Sequence, residues 1–252
     1  MSDSVQIRGV SSTVDTLTDY AKDLGLDLLG EIIRLGRMMA VECARMTQPW
    51  GLDAKAQLKG KGAVAKDIQK VFGSPSRFYR IIRRKHPEAA ESFWMAYKEG
   101  DEARMRENMI IAGAATAISD RPDRALHEAA RKGERKHVNS APKQMVTNPA
   151  TMEKYIKQRQ QAVGFVKAGW ARAADDCGGH RGIPAWASTK QPGATGRAII
   201  ERHPIKPKVT IENTIPYVME NLTTLEINGA LNDAYGKILK YLSYRKKQPL
   251  TK

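Results

Sequence analysis

Cys177-Gly178-Gly179-His180 is where reactive chemistry would most readily start in this chain. A thiol and an imidazole separated by two residues have the gap of a zinc knuckle. The same two groups are also the beginning of a Cys–His nucleophile pair. A structural zinc site needs four ligands, usually from a second pair. Cys43 falls on the apolar face of a helical pattern, and His137 and His203 lack partner spacing. Asp175 and Asp176 lie close by, but acidic residues near a helix end are commonplace. A nucleophilic Cys177 would have to use His180 or His203, with no third group to orient the base. The expectation is no metal, no cofactor and no catalytic residue.

Other motifs fail more simply. Lys59-Gly60-Lys61-Gly62 sits inside a helical pattern and is followed by no Ser or Thr, so it is not a phosphate-cradling loop. Gly193-Ala194-Thr195-Gly196-Arg197 reads as a turn, and there is no Gly-x-Ser-x-Gly elbow. Acids are scarce and scattered. The chain reads as a non-enzyme.

Charge is the stronger signal. The 252 residues carry 42 Lys and Arg against 27 Asp and Glu, a formal charge of +15. That balance favours a polyanionic partner. The segment from Arg121 to Lys143 is the densest candidate, with Arg131, Lys132, Arg135 and Lys136 as contacts to phosphates. A solvated loop explains the same charges equally well. Aromatics are only 6% of residues, which argues against a single-strand stacking platform. No helix-turn-helix, zinc-finger or RNA-binding signature is present. No apolar run could span a bilayer. The N-terminus lacks a signal-peptide pattern, and two cysteines suit a reducing compartment, so synthesis and residence in a cytoplasm are expected.

The elements that would position these residues follow from periodicity and punctuation. Residues 1–13 read as a loose leader. A long helix is expected from Val14 to about Thr47, on a stripe including Leu24, Leu28, Ile32, Leu35, Met39 and Cys43. Gln48-Pro49-Trp50-Gly51 ends it. A second helix is expected from Ala54 to Phe72. Ser74-Pro75 and His86-Pro87 each start a short helix, Gly100 closes the second, and Asp101 caps another to about Ala112. Residues 113–143 read as a boundary, either a loop or an exposed helix end. Met145-Val146 is a short strand, and Asn148-Pro149 opens a long helix to about Asp175. Gly164 and Gly169 inside that helix each cost about 1 kcal/mol against Ala, which close backbone packing would offset. Residues 176–196 read as a loop, with Trp186 and Arg181 as candidate partner anchors. Arg197–His203 and Lys206–Glu212 form a hairpin of half-buried strands, and Thr224 opens an amphipathic helix carrying Leu225, Leu231, Ala234, Ile238 and Leu242.

Four stretches together resemble the tail-completion, or neck, proteins of long-tailed bacteriophages. They are Val163-Gly164-Phe165-Val166-Lys167-Ala168-Gly169-Trp170, Arg181-Gly182-Ile183-Pro184-Ala185-Trp186, and Val209 to Val218 with Asn213 and the Pro216-Tyr217 corner. The fourth is Gln48-Pro49-Trp50-Gly51 after the N-terminal helix. The resemblance implies an α+β fold, predominantly helical, with long helices flanking a small antiparallel β-sheet and a helical insertion at about 52–143. With the composition shifts above, the chain divides into a leader 1–13, a helical region 14–120, a basic loop or linker 121–143 and a tail-completion-like region 144–252. The resemblance also implies a structural virion protein at the head–tail junction. The protein would assemble as a homo-oligomeric ring and contact the portal or connector and the tail tube or tail terminator, without a membrane partner. Asn213, Pro216, Tyr217, Arg181 and Trp186 become candidate interface residues. The alternative is a basic, non-sequence-specific DNA-binding accessory or packaging protein acting through 121–143.

Overall fold

A computed structural model describes residues 5–8, 19, 27–113, 117–119, 122–134, 145–189, 196–203, 207–215 and 224–247. Pro216, Tyr217, Arg135 and Lys136 lie outside them, as do the side chains of Arg131 and Lys132. The fold is α+β and predominantly helical. It divides into two compact units. One comprises Met1–Gly60 with Ala162–Lys252, and the other is Lys61–Gln161. The boundaries therefore fall after Gly60 and Gln161, rather than at 120 and 143.

The first unit is built on α1 (Leu28–Met46), α8 (Phe165–Asp176), the short α9 (Ala185–Ser188) and α10 (Thr224–Lys247). Its sheet has the order β1 (Val5–Arg8), β6 (Lys208–Asn213), β5 (Gly196–Glu201), antiparallel throughout. β1 corrects the expected loose leader. It pairs with β6 from Val5 opposite Asn213 to Arg8 opposite Thr210. The expected hairpin of β5 and β6 is present, with Arg197 opposite Glu212 and Glu201 opposite Lys208. β6 is central and not half-buried: Val209, Thr210, Ile211, Glu212 and Asn213 are all buried. The buried carboxylate of Glu212 is met by Arg197, whose Nε lies 2.6 Å from it.

α1 does not run unbroken from Val14. Asp27 has an extended backbone (φ −69°, ψ 104°), and its carboxylate accepts from the N–H of Leu29 and Gly30. That is an N-cap, which starts a helix and cannot lie inside one. Ile32, Leu35, Met39 and Cys43 then face a core shared with Trp170, Ala174, Ile211, Ala234, Ile238 and Leu242. α10 carries its buried face on Ala230, Ala234, Ile238 and Leu242, whereas Leu225, expected on that stripe, is 81% exposed. The buried carboxylate of Glu42 on α1 pairs with Lys237 of α10 and with Arg45.

The second unit takes in most of α2 (Ala54–Val71), and continues with β2 (Phe72–Gly73), α3 (Pro75–Arg83), α4 (Pro87–Glu99) and α5 (Glu102–Ile111). It is completed by β3 (Ala117–Ile118), α6 (Arg124–Glu134), β4 (Met145–Val146) and α7 (Pro149–Gln160). The punctuation signals hold: Ser74, Asp101 and Asn148 cap their helices with side-chain oxygens, and Gly100 closes α4 in the left-handed region. His86 caps nothing with its side chain; Pro87 alone sets that start. β4 lies between β2 and β3 and is parallel to both, so this small sheet is not antiparallel. The unit has two apolar clusters, one of Phe78, Ile82, Phe93, Met105 and Met109, and another of Ile68, Val71, Phe72, Tyr155 and Ile156. The 113–143 segment contains a helix, α6, over its first basic residues.

The expected single helix from Asn148 to Asp175 is two. α7 ends at Gln160, and Gly164 (φ 95°) turns the chain into α8. Any side chain at 164 would be strained by that φ and would also meet Trp186.

Candidate functional site

Three of the four stretches singled out by resemblance meet at the C-terminal end of α1. Thr47 ends that helix; its N–H and its hydroxyl both donate to the Cys43 carbonyl, at 2.9 and 2.7 Å. A cis peptide bond between Gln48 and Pro49, then Gly51 at φ 94°, turn the chain sharply. The last carbonyls of α1 have no partner within the helix, the ordinary state of a helix C-terminus. Lys167 of α8 supplies the cap. Its Nζ donates to the carbonyls of Ala44 (2.5 Å), Thr47 (2.6 Å) and Gly51 (3.1 Å), using all three N–H groups of an ammonium. One helical turn on, Trp170 Nε1 donates to Thr47 Oγ1 at 3.1 Å. Trp186, half-buried at the start of α9, donates Nε1 to the Leu52 carbonyl and places its ring 5.9 Å from the Lys167 ammonium.

Lys167 is 0% exposed, and no carboxylate pairs with it among the described residues. Burial pushes its ammonium down to about 7. The negative end of the α1 dipole opposes that shift, because it favours the cation. The sequence reading missed this residue, since a helical Lys ordinarily reads as solvated. The available signal was its position, four residues after Val163 and three before Trp170, on the buried stripe.

The fourth stretch joins the other side of α8. Asn213, 0% exposed, ends β6. Its Nδ2 donates to the Val166 carbonyl at 2.9 Å, and its Oδ1 accepts from the Ile215 N–H at 3.2 Å. Gly169 lies directly beneath; a Cβ there would fall within 3 Å of the Asn213 amide. The space beside Gly169 is taken by the Asn213 side chain rather than by the backbone expected there, and Asn213 is a buried corner-former with no exposed contact surface. Asn213→Ala would leave the buried Ile215 N–H without its acceptor and remove the second donor to the Val166 carbonyl, and should cost about 1–3 kcal/mol. Chemical denaturation of the variant measures it. Asn213→Asp should not rescue, because a carboxylate cannot donate to Val166.

Cys177 and His180 do not form a pair. The Asp175 carboxylate accepts from the His180 backbone N–H (3.1 Å) and contacts Nδ1 (2.6 Å), closing a turn. Cys177 points instead into the core beside Gly36. Burial pushes its thiol up to about 11, and burial raises Cys43 further still. Both thiols should resist a disulfide reagent at pH 8 in the folded protein and react at once in denaturant. Among the described residues, no group of three His, Cys, Asp or Glu could hold a metal ion. Arg181 stands exposed in the turn before α9, with no ion pair among the described residues.

The contacts at this site join segments of the chain to one another. No family model matches this chain, no curated protein is detectably similar, and no solved structure resembles it. Among the described residues, no helix is long and apolar enough to cross a membrane.

Proposed function

We propose that the protein is a structural component of a long-tailed phage virion, placed at the head–tail junction and assembled there as a ring. The observation that carries this reading is the convergence around α8. The segments at 48–51, 163–170, 181–186 and 209–215 are separate in sequence, the first lying more than a hundred residues before the others. They meet through Lys167, Trp170, Trp186, Gly169 and Asn213. A likeness spread over four separate segments carries more weight when those segments build one body. Their body is also of the expected kind, a small antiparallel sheet packed by long helices.

In this reading the first unit forms the ring with its neighbours through repeated head-to-tail contacts. The second unit, inserted between Gly60 and Ala162, is an added module on each subunit. Exposed Arg181 and the outer part of Trp186 are candidates for the contact with a neighbouring virion protein. The test is a nonsense mutation in the gene, grown without suppression. Filled heads and complete free tails that fail to join support the reading. Normal yields of infectious, tailed particles overturn it.

A further inference from the structure

Between Ser74 and His86 the chain carries Arg77, Arg80, Arg83, Arg84 and Lys85, and no acidic residue. All five are exposed. Pro75, Phe78 and Ile82 bury the other side of α3. At 3.6 residues per turn, Arg77, Arg80 and Arg84 share the face opposite Phe78 and Ile82. Some cations elsewhere in the unit are paired with carboxylates. Arg104 pairs with Glu99, Arg106 with Glu102 and Lys157 with Glu153. None of the five on and after α3 has a carboxylate partner among the described residues.

The guanidinium groups are also partly pre-positioned. Arg77 Nη1 donates to the Gln69 carbonyl at 3.1 Å, and Arg80 Nε to the Ser76 carbonyl at 3.4 Å. Arg83 lies over the Tyr79 ring, 5.9 Å from its centroid. Each donor used this way leaves most of the five guanidinium N–H groups for a ligand, with less side-chain freedom to lose on binding.

The surroundings select among polyanions. A lipid surface needs apolar area to bury, and Ile81 is the sole large apolar side chain exposed on α3. A protein partner needs an apolar anchor at the centre of the patch, and this face offers none beyond Ile81. Stacking on single-stranded bases needs free aromatic faces. The neighbouring rings are engaged with one another: Tyr79 with Trp94 and Trp94 with Tyr97, each at 5.6 Å between centroids, with the Tyr79 hydroxyl held by Glu91. Duplex DNA asks only for closely spaced cations, since it presents one phosphate charge per ~1.7 Å of axis. A nine-residue helix is about 13 Å long and spans several such charges.

We propose that the basic face of α3, with Arg84 and Lys85 in the turn after it, binds duplex DNA through its phosphates and without reading base sequence. The site is distinct from the 121–143 segment and does not depend on the placement at a head–tail junction.

Fluorescence anisotropy of the full chain with two labelled 30-bp duplexes of unrelated sequence, titrated across KCl concentration, tests it. Both duplexes should bind alike. The affinity should fall with a log–log salt slope of about −4, at roughly 0.9 per phosphate contact. The triple variant Arg77→Ala, Arg80→Ala, Arg84→Ala should lose about tenfold or more in affinity and shed about 2–3 from the slope. Its circular dichroism should be unchanged, because the three side chains are exposed. The variant Arg131→Ala, Lys132→Ala, Arg135→Ala, Lys136→Ala should keep most of the binding. An unchanged affinity and slope in the α3 triple variant would overturn the proposal. So would loss confined to the 131–136 variant, absence of binding by the wild type, or tighter binding to phosphatidylserine vesicles or polyglutamate than to the duplex.

Discussion

Lys167→Met should destabilise the first unit by about 3 kcal/mol or more at pH 7. Methionine fills nearly the same volume, so packing is largely kept and the change isolates the polar contacts. Three carbonyls, those of Ala44, Thr47 and Gly51, would lose their shared donor at once. Leaving one buried polar group unsatisfied costs about 1–3 kcal/mol. Removal of the buried ammonium returns part of that, which is why the expected total falls short of three full penalties. Arginine should not rescue, because the site is fully enclosed and the guanidinium is wider than the ammonium. The pH dependence supplies a second check. Burial holds Lys167 at about 7 in the folded protein, below the ordinary lysine value near 10.4. Between those values the unfolded chain holds the proton and the folded chain releases it, so stability rises with pH across that window. Thermal unfolding at pH 7 and pH 9 should show wild type gaining on Lys167→Met. An equal response in both proteins would show that Lys167 does not titrate there.

Gly196→Ala is the second large effect. Gly196 opens β5 where that strand crosses α8, and a Cβ at 196 would collide with the carbonyl, carbon and Cα of Gly169. The obstacle is backbone on both sides, so no rotamer change relieves it; the strand or the helix must shift. Overpacking of this kind costs about 1–3 kcal/mol, and the upper end is expected here. For a domain of this size that lowers the melting temperature by roughly 10 °C. Gly236→Ala is the contrast within the same unit. Gly236 lies inside α10, and nothing stands within 4 Å of the added methyl. Relief of the glycine penalty should stabilise the protein by about 0.5–1 kcal/mol. Differential scanning calorimetry of both variants gives opposite signs if the backbone crossing is as close as the structure has it.

Legibility in the sequence followed the range of the interactions. Ser74-Pro75, Asp101, Asn148-Pro149 and Gly100 act within three or four residues, so their caps and stops were readable. The β5–β6 hairpin was readable because both strands lie close together in sequence. β1 was not, because the strand it pairs with, β6, is some two hundred residues away and nothing local distinguishes four residues of strand from a tail. The break between α7 and α8 was missed because no proline marks it: α7 ends at Gln160, and Gly164 in the left-handed region starts α8. The parallel strands of the second unit are two residues each, too short for any periodicity. At the site, Gly169 announced a close approach before its occupant, Asn213, could be known. Lys167 and the unpaired arginines of α3 were hidden for opposite reasons. One charge looked solvated and is buried. The others looked like ordinary helix surface until the missing carboxylate partners became visible.

The placement at a head–tail junction is tested most directly by immunogold electron microscopy of purified virions, with antibody raised against this chain. The account predicts gold concentrated where head meets tail, on most particles. Particles without label, with the protein recovered in the lysate supernatant, would contradict it.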